Sequence, residues 1–359
     1  MRKVTVIGDT SSGKTSFLYA MYNFVAMGYV DGFTMSAADD IADNKLQDKF
    51  SILENSSLGE ERFPKPSNER EAYEFELQYG FAEIATFEWV DYPGGYISEN
   101  GEGRNELTND LKNSDAWVIF IDGEKILEVL LSYDERLQKK SEKKDKISED
   151  EFKSFLQENE DKTKKEMISV CGKYNKFIGK LISQKISIPK ALPIIITKGD
   201  LIANSGIENW QEKIQNIMKQ GLSPCFADNF QSLVSISTVS LGNNIAENNF
   251  RGNLDPINIE YPITISMLSI LNNLFAKELP EIARLNDLIE EDYNKFFSSR
   301  ERREDWQRQI DVIAPKLVKW QKMAKAILGT LHDEKSLWYF GEKLSMIDYY
   351  KTIFCITEN

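Results

Sequence analysis

Val4-Thr5-Val6-Ile7-Gly8-Asp9-Thr10-Ser11-Ser12-Gly13-Lys14-Thr15-Ser16 is the stretch that decides the fold. Val4 to Ile7 is a short β-branched run suited to a buried parallel strand, and GxxxxGK[ST] follows it directly. The spacing has a physical reason. Gly8 and Gly13 let a loop carrying Asp9, Thr10, Ser11 and Ser12 wrap a phosphate chain with its amide N–H groups. Lys14 then reaches the β- and γ-phosphates, and the Thr15 hydroxyl can ligate Mg²⁺. From Ser16 to Phe24 the chain reads as a helix whose N-terminus points at those phosphates.

Two later segments decide which nucleotide this loop serves. Thr86 to Gly95 reads TFEWVDYPGG, a strand ending in DxxG. There Asp91 can hold Mg²⁺ through water, and the Gly94 amide can sense a γ-phosphate. Pro193 to Asp200 reads PIIITKGD, an apolar strand leaving into TKxD with Thr197, Lys198 and Asp200. A carboxylate there accepts two hydrogen bonds from the N1–H and 2-amino group of guanine. Adenine has no such donor pair and would leave the carboxylate unpaired, which selects GTP and GDP over the adenine nucleotides.

The order P-loop, DxxG, TKxD resembles the Ras-like and dynamin-like GTPases of the translation-factor-related P-loop class, over roughly residues 1 to 275. The resemblance implies an α/β three-layer P-loop fold with a mainly parallel six-stranded sheet and nucleotide at the carboxyl ends of the strands. The strands are expected at 2–7, 73–79, 84–91, 116–122, 192–197 and 233–237. The family's last motif, a loop whose backbone contacts guanine, falls on Val234 to Val239, with Ser237 or Thr238 as the candidate. For the first-switch residue that binds Mg²⁺ in the GTP state, two positions compete. Thr34 lies 20 residues after Lys14, while Ser67, in FPKPS, precedes a strand-like run and lies 24 residues before Asp91. Ser67 is favoured. The residue after DxxG, a glutamine in Ras-like proteins, is Gly95, so no side chain there orients an attacking water. Turnover is therefore expected to be slow or helped by a partner or by a loop serine. Ser11 takes that role if the dynamin-type likeness holds, while simple phosphate contacts by Ser11 and Ser12 explain both residues equally well. Lys14, Ser11, Ser67 and Gly94 form the catalytic set that the resemblance implies.

GxTSSGKT, the FPxPT-like stretch and TKxD are also similar to GTPases of bacterial conflict systems described as paired double-GTPase modules, with Ser67 in place of the threonine. That likeness implies a neighbouring GTPase or effector as partner and a setting in phage defence, while the dynamin-type loop implies a nucleotide-dependent dimer. The rivals are a dynamin-like self-assembling GTPase, a pseudo-GTPase scaffold and a P-loop ATPase.

Outside the motifs the chain is long enough at 359 residues for a GTPase domain over 1–278 and a helical hairpin or small bundle over 279–359. Inserts are expected at about 30–66, with a helix from Asp40 to Leu53, and at 134–165, dense in both charge signs and read as a solvated helical excursion. Met167 to Ile182 carries the apolar face of the crossover helix. A formal charge of −13 repels nucleic acid and anionic lipid, so no nucleic-acid partner is expected and a membrane role is disfavoured. Cys171, Cys225 and Cys355 lie far apart and His332 is the one histidine, which supports neither a disulfide framework nor a zinc site. With no secretion signal or membrane span read, the cytoplasm is the expected compartment.

Overall fold

The structure, a computed structural model, describes residues 2–30, 32–80, 82–97, 103–141, 148–243, 245, 248–295, 298–330, 337–339, 341–345, 348 and 351. Its centre is a run of five parallel strands in the order β4 (Ala82–Asp91), β1 (Arg2–Gly8), β5 (Ala116–Ile121), β6 (Ala191–Ile196) and β7 (Leu233–Thr238). Within it β5 and β6 are apolar and buried along their whole length, because both of their faces are covered. Along β5, Ala116, Val118 and Phe120 enter one hydrophobic cluster, and Trp117, Ile119 and Ile121 enter the other. The first cluster packs under α1 (Lys14–Ala26), α2 (Asp40–Glu54), α8 (Tyr261–Tyr293) and α9 (Arg300–Thr330). The second packs under α3 (Arg104–Lys112), α4 (Gly123–Ser141), α5 (Glu149–Ser183) and α7 (Trp210–Gly221), with the short α6 (Gly199–Ala203) between β6 and α7.

The margins are antiparallel and enlarge the sheet beyond the six strands expected. β3 (Glu71–Tyr79) pairs with β4, β2 (Phe33–Ala37) pairs with β3, and on the far side β8 (Leu337–Tyr339) and β9 (Glu342–Lys343) follow β7. Among the described residues nine strands therefore stand where six were read. Each of the three additions is short. β2 does alternate, with Phe33 and Met35 buried and Thr34 and Ser36 exposed, but five residues carry the period for only two cycles. It starts after Gly32, whose φ of 77 suits glycine and whose Cβ would strike the Tyr79 ring at 2.6 Å.

The C-terminal region differs from expectation in the same way. A single helix, α8, runs through position 278 and carries Pro280 inside it, so no break marks a boundary there. α9 likewise continues through Pro315, where the sequence suggests a kink or a start. Its Leu317, Met323, Ala324 and Ile327 join the first cluster, and β8 returns to the sheet, where Trp338 meets Phe226 edge-on. Residues 279–359 are thus not all helical among the described residues. His332 and Cys355 lie outside them.

The charged excursion is helical where it is described. α4 and α5 are held together by Arg136, which donates to Thr163, to Asn159 and bidentately to Glu166. Ser148 and Glu151 form a capping box that starts α5.

Candidate nucleotide site

The carboxyl ends of β1, β4 and β6 open onto one cavity of about 680 Å³, a volume suited to a nucleotide-sized ligand. Thr10, Ser11, Ser12, Gly13, Lys14, Thr15 and Ser16 form its floor, Asp91 and Gly94 one side, and Thr197, Lys198 and Asp200 another.

The floor has its shape before any ligand arrives. Gly13, at φ 79, starts α1 so that its first N–H groups face the cavity, and Ser11 is also left-handed at φ 63. Gly8 lies against Phe120 and Ser12, where a Cβ would come within 2.9 Å of three atoms. Ser12 Oγ donates to the Asp9 carbonyl at 2.8 Å. Lys14 Nζ donates to the carbonyls of Gly8 and Asp9 at 3.1 and 3.0 Å. Burial lowers its pKa, with Asp91 and Asp9 opposing. Asp9 points away from the cavity toward Lys125 and Lys173. Burial alone would raise its pKa, but those two lysines outweigh burial and hold the carboxyl low. From α5, the Tyr174 hydroxyl accepts from the Asp9 amide at 3.0 Å and donates to the Phe120 carbonyl at 2.9 Å, so the crossover helix braces the loop.

Thr15 Oγ1 donates to Asp91 Oδ2 at 2.8 Å, while Asp91 Oδ1 is buried with no hydrogen-bond partner. Burial pushes the Asp91 carboxyl up, and Lys14 partly restrains it. A buried oxygen aimed at nothing, beside a threonine hydroxyl, is the donor set a Mg²⁺ ion with its waters completes, so the residues fit that ion. Gly94 touches the floor directly. A Cβ there would lie 2.0 Å from the Thr10 amide nitrogen, so this close approach requires glycine, whereas nothing lies within 4 Å of a Cβ at Gly95.

At the other end, Thr197 lies 3.5 Å from where a Gly13 Cβ would stand. Lys198, at φ 52, donates to Asp122 and Glu124 at 2.9 Å each. Burial opposes its charge, but these bonds hold its pKa above the ordinary lysine value. Asp200 opens α6 and lines the cavity.

The structure separates the remaining candidates. Ser67 lines the cavity, and its Oγ bonds only locally, accepting from the Glu69 amide at 3.0 Å. Thr34 sits in edge strand β2 opposite Gln78 and does not line the cavity. Ser237 and Thr238 lie within β7, opposite Ile195 and Ile196, and it is the next residues, Val239 to Gly242, that line the cavity. The sequence reading missed Lys49, Glu71, Phe63 and Phe250. Glu71 sits opposite Asp91 across the β3–β4 pair, and the rings of Phe63 and Phe250 meet edge-on at 5.9 Å. The alternation of β3 could have revealed Glu71; Lys49 and Phe250 come from distant loops and helices and left no local signal.

Beneath the segments that carry Ser67 and Gly94 runs an ionic network. Arg70 donates to the Tyr92 hydroxyl at 3.2 Å and to Asp110 at 3.0 Å, and it pairs with Glu88. Tyr92 donates to Asp110 at 2.6 Å, and Lys3 pairs with both Asp110 and Glu88. Burial would raise the Asp110 carboxyl, but the bonds from Lys3 and Tyr92 keep it low.

A phosphate loop, a DxxG glycine pressed on it and a TKxD carboxylate, all at the ends of parallel strands around one cavity, define a P-loop GTPase. The chain belongs to the Double-GTPase 2 family, whose model matches residues 2–247. Among solved structures it is similar to the S. cerevisiae Ski7 GTPase-like domain. With the form bound to GTP it shares 16% identity and a TM-score of 0.33, covering 68% of this chain and 44% of that one. With the form bound to GDP and inorganic phosphate it shares 16% identity and a TM-score of 0.31, covering 69% and 45%. The chain thus spans less than half the length of these two. No curated protein matches it. No described helix is long and apolar enough to cross a membrane.

Proposed function

We propose that this chain is a guanine-nucleotide switch that binds GTP with Mg²⁺, hydrolyses it slowly to GDP and phosphate, and relays the nucleotide state to a protein partner. The observation that supports it best is the convergence of Lys14, Thr15, Asp91, Gly94 and Asp200 on one cavity. The P-loop amides take the phosphate chain, and Lys14 exchanges its two carbonyl acceptors for the β- and γ-phosphates. Asp200 accepts from guanine N1–H and the 2-amino group, and the backbone of Val239 to Gly242 closes on the base. Thr15 and Asp91 would hold Mg²⁺, joined by Ser67 in the GTP state, and the ion would supply charge neutralisation at the phosphates. Departure of the γ-phosphate frees Ser67 and Gly94, and the Arg70–Tyr92–Asp110 network carries that release between the two switch segments. Slow turnover follows from the open space at Gly95. The partner class is a second GTPase or an effector met in a nucleotide-dependent dimer. The proposed setting is the bacterial cytosol and phage defence.

Titration calorimetry with Mg²⁺ and non-hydrolysable GTP and ATP analogues, on the wild type and on Asp200→Asn, tests the reading. A GTP preference lost in the variant upholds it; a preference for ATP overturns it. A pseudo-GTPase, the second reading that Gly95 favours, predicts the same binding with no phosphate release even in the presence of a partner.

A further inference from the structure

The segment that leads into the first switch contains a buried positive charge with no acidic partner among the described residues. Of residues 60 to 67, all line the cavity except Arg62, which turns away and is 1% exposed. Its Nη2 donates to the Gly252 carbonyl at 2.8 Å, and its guanidinium lies 5.1 Å from the Phe63 ring centre. Nε and Nη1 are buried without a hydrogen-bond partner, and among the described residues no carboxylate pairs with the group. Burial, unopposed, pushes the guanidinium below its ordinary range.

Buried arginines ordinarily face a carboxylate or phosphate, because the five donors need acceptors and the charge needs a counter-charge. A guanidinium with two unpartnered donor nitrogens has free energy to gain from an anion that would meet them. Its neighbours Glu61 and Phe63 border the cavity, so Arg62 sits one residue from the cavity lining on either side. The backbone before it also has a natural pivot: the 3₁₀ turn Ser56–Arg62 is interrupted at Gly59, with φ 58 and ψ −130.

Resting on the nucleotide reading above, we infer that Arg62 leaves its buried seat when a nucleoside triphosphate fills the cavity and pairs with the γ-phosphoryl oxygens, as a charge-neutralising arginine supplied by the chain itself. The γ end is where donors are short. Lys14 serves the β–γ bridge, Ser67 is committed to the metal, and Gly95 offers no side chain. Arg62 forms no covalent bond in this role. It offsets charge on the equatorial oxygens as water adds to phosphorus and the β–γ bridging oxygen departs with its electron pair on GDP. The competing role is a strut that pins the loop around Gly252 to the first switch.

Arg62→Met keeps the volume and removes the charge, and the two roles then predict opposite results. Calorimetry with Mg²⁺ would compare GDP, a non-hydrolysable GTP analogue and GDP with aluminium fluoride, alongside the Tm of the nucleotide-free protein. For Arg62→Met we expect GDP affinity within about twofold of wild type, analogue and aluminium fluoride complexes weaker by about tenfold or more, and an unliganded Tm that is equal or higher. Arg62→Lys should recover part of the analogue affinity, as a point charge without the fork. A wild-type ratio of analogue to GDP affinity in Arg62→Met, or a variant with a lowered Tm or no fold, overturns the inference in favour of the strut. If the wild type binds no guanine nucleotide, the functional reading falls and this inference with it; if it binds and Arg62→Met is indifferent, only the inference falls.

Discussion

The floor of the cavity and its first-switch wall are built in opposite ways. The floor, Gly8 to Ser16 with Gly94 pressed on it, is held by short contacts that leave no room for a Cβ, by two carbonyls on Lys14 and by the Tyr174 brace. The wall, residues 56 to 67, is kinked at Gly59, holds Ser67 by local bonds alone and buries a charged Arg62 with two donors unmet. On the proposed function, a preorganised floor would bind the part shared by GDP and GTP, and a wall with unmet donors would gain free energy from the part that differs, so discrimination between the two states would belong to it.

The largest expected effect tests the floor. Lys14→Ala should weaken GDP and GTP alike by about 3 kcal/mol, over a hundredfold by calorimetry, since it removes a charge-assisted contact common to both. Next, Gly94→Ala should cost about 2 kcal/mol of nucleotide affinity by overpacking the Thr10 backbone, while Gly95→Ala, which meets open space, leaves affinity unchanged. Equal effects of the two substitutions would break the picture of a tightly fitted floor.

The base shared by both regions comes third. Asp110→Asn should lower stability in denaturant titration at pH 7 by about 1.5 kcal/mol. The native carboxyl is held below its usual range, so its contribution is full above the unfolded value of about 4 and disappears as the pH falls through the folded one. The gap between variant and wild type should therefore close on acidification. The smallest effect sharpens the wall. Ser67→Ala should weaken a GTP analogue by about 1 kcal/mol and spare GDP; equal losses would show that Ser67 does not sense the γ-phosphate.

The central strands, α2 and the crossover helix were legible because their signals are local: an apolar run of β-branched residues, or a helical face such as that carrying Met167, Cys171 and Tyr174. Asp91 and Asp200 were legible because a motif of four residues fixes a carboxylate at a strand end. β8 was not, since its three residues become a strand only where β7 offers an unpaired edge. The continuity of α8 through Pro280 was equally hidden, because a proline reads as a stop unless packing against α9 and the sheet holds the helix together.

The sequence by itself determined the phosphate loop, the order of the guanine-nucleotide motifs and the apolar strands that deliver them, because each depends on residues close in the chain. Tertiary structure alone decided that Ser67 and not Thr34 borders the cavity, that Val239 to Gly242 and not Ser237 or Thr238 face it, and that Arg62 is buried with no acid partner among the described residues. Those are outcomes of long-range packing, where a residue's neighbours come from segments as distant as Gly252, and no local pattern encodes which burial a charge will be made to bear.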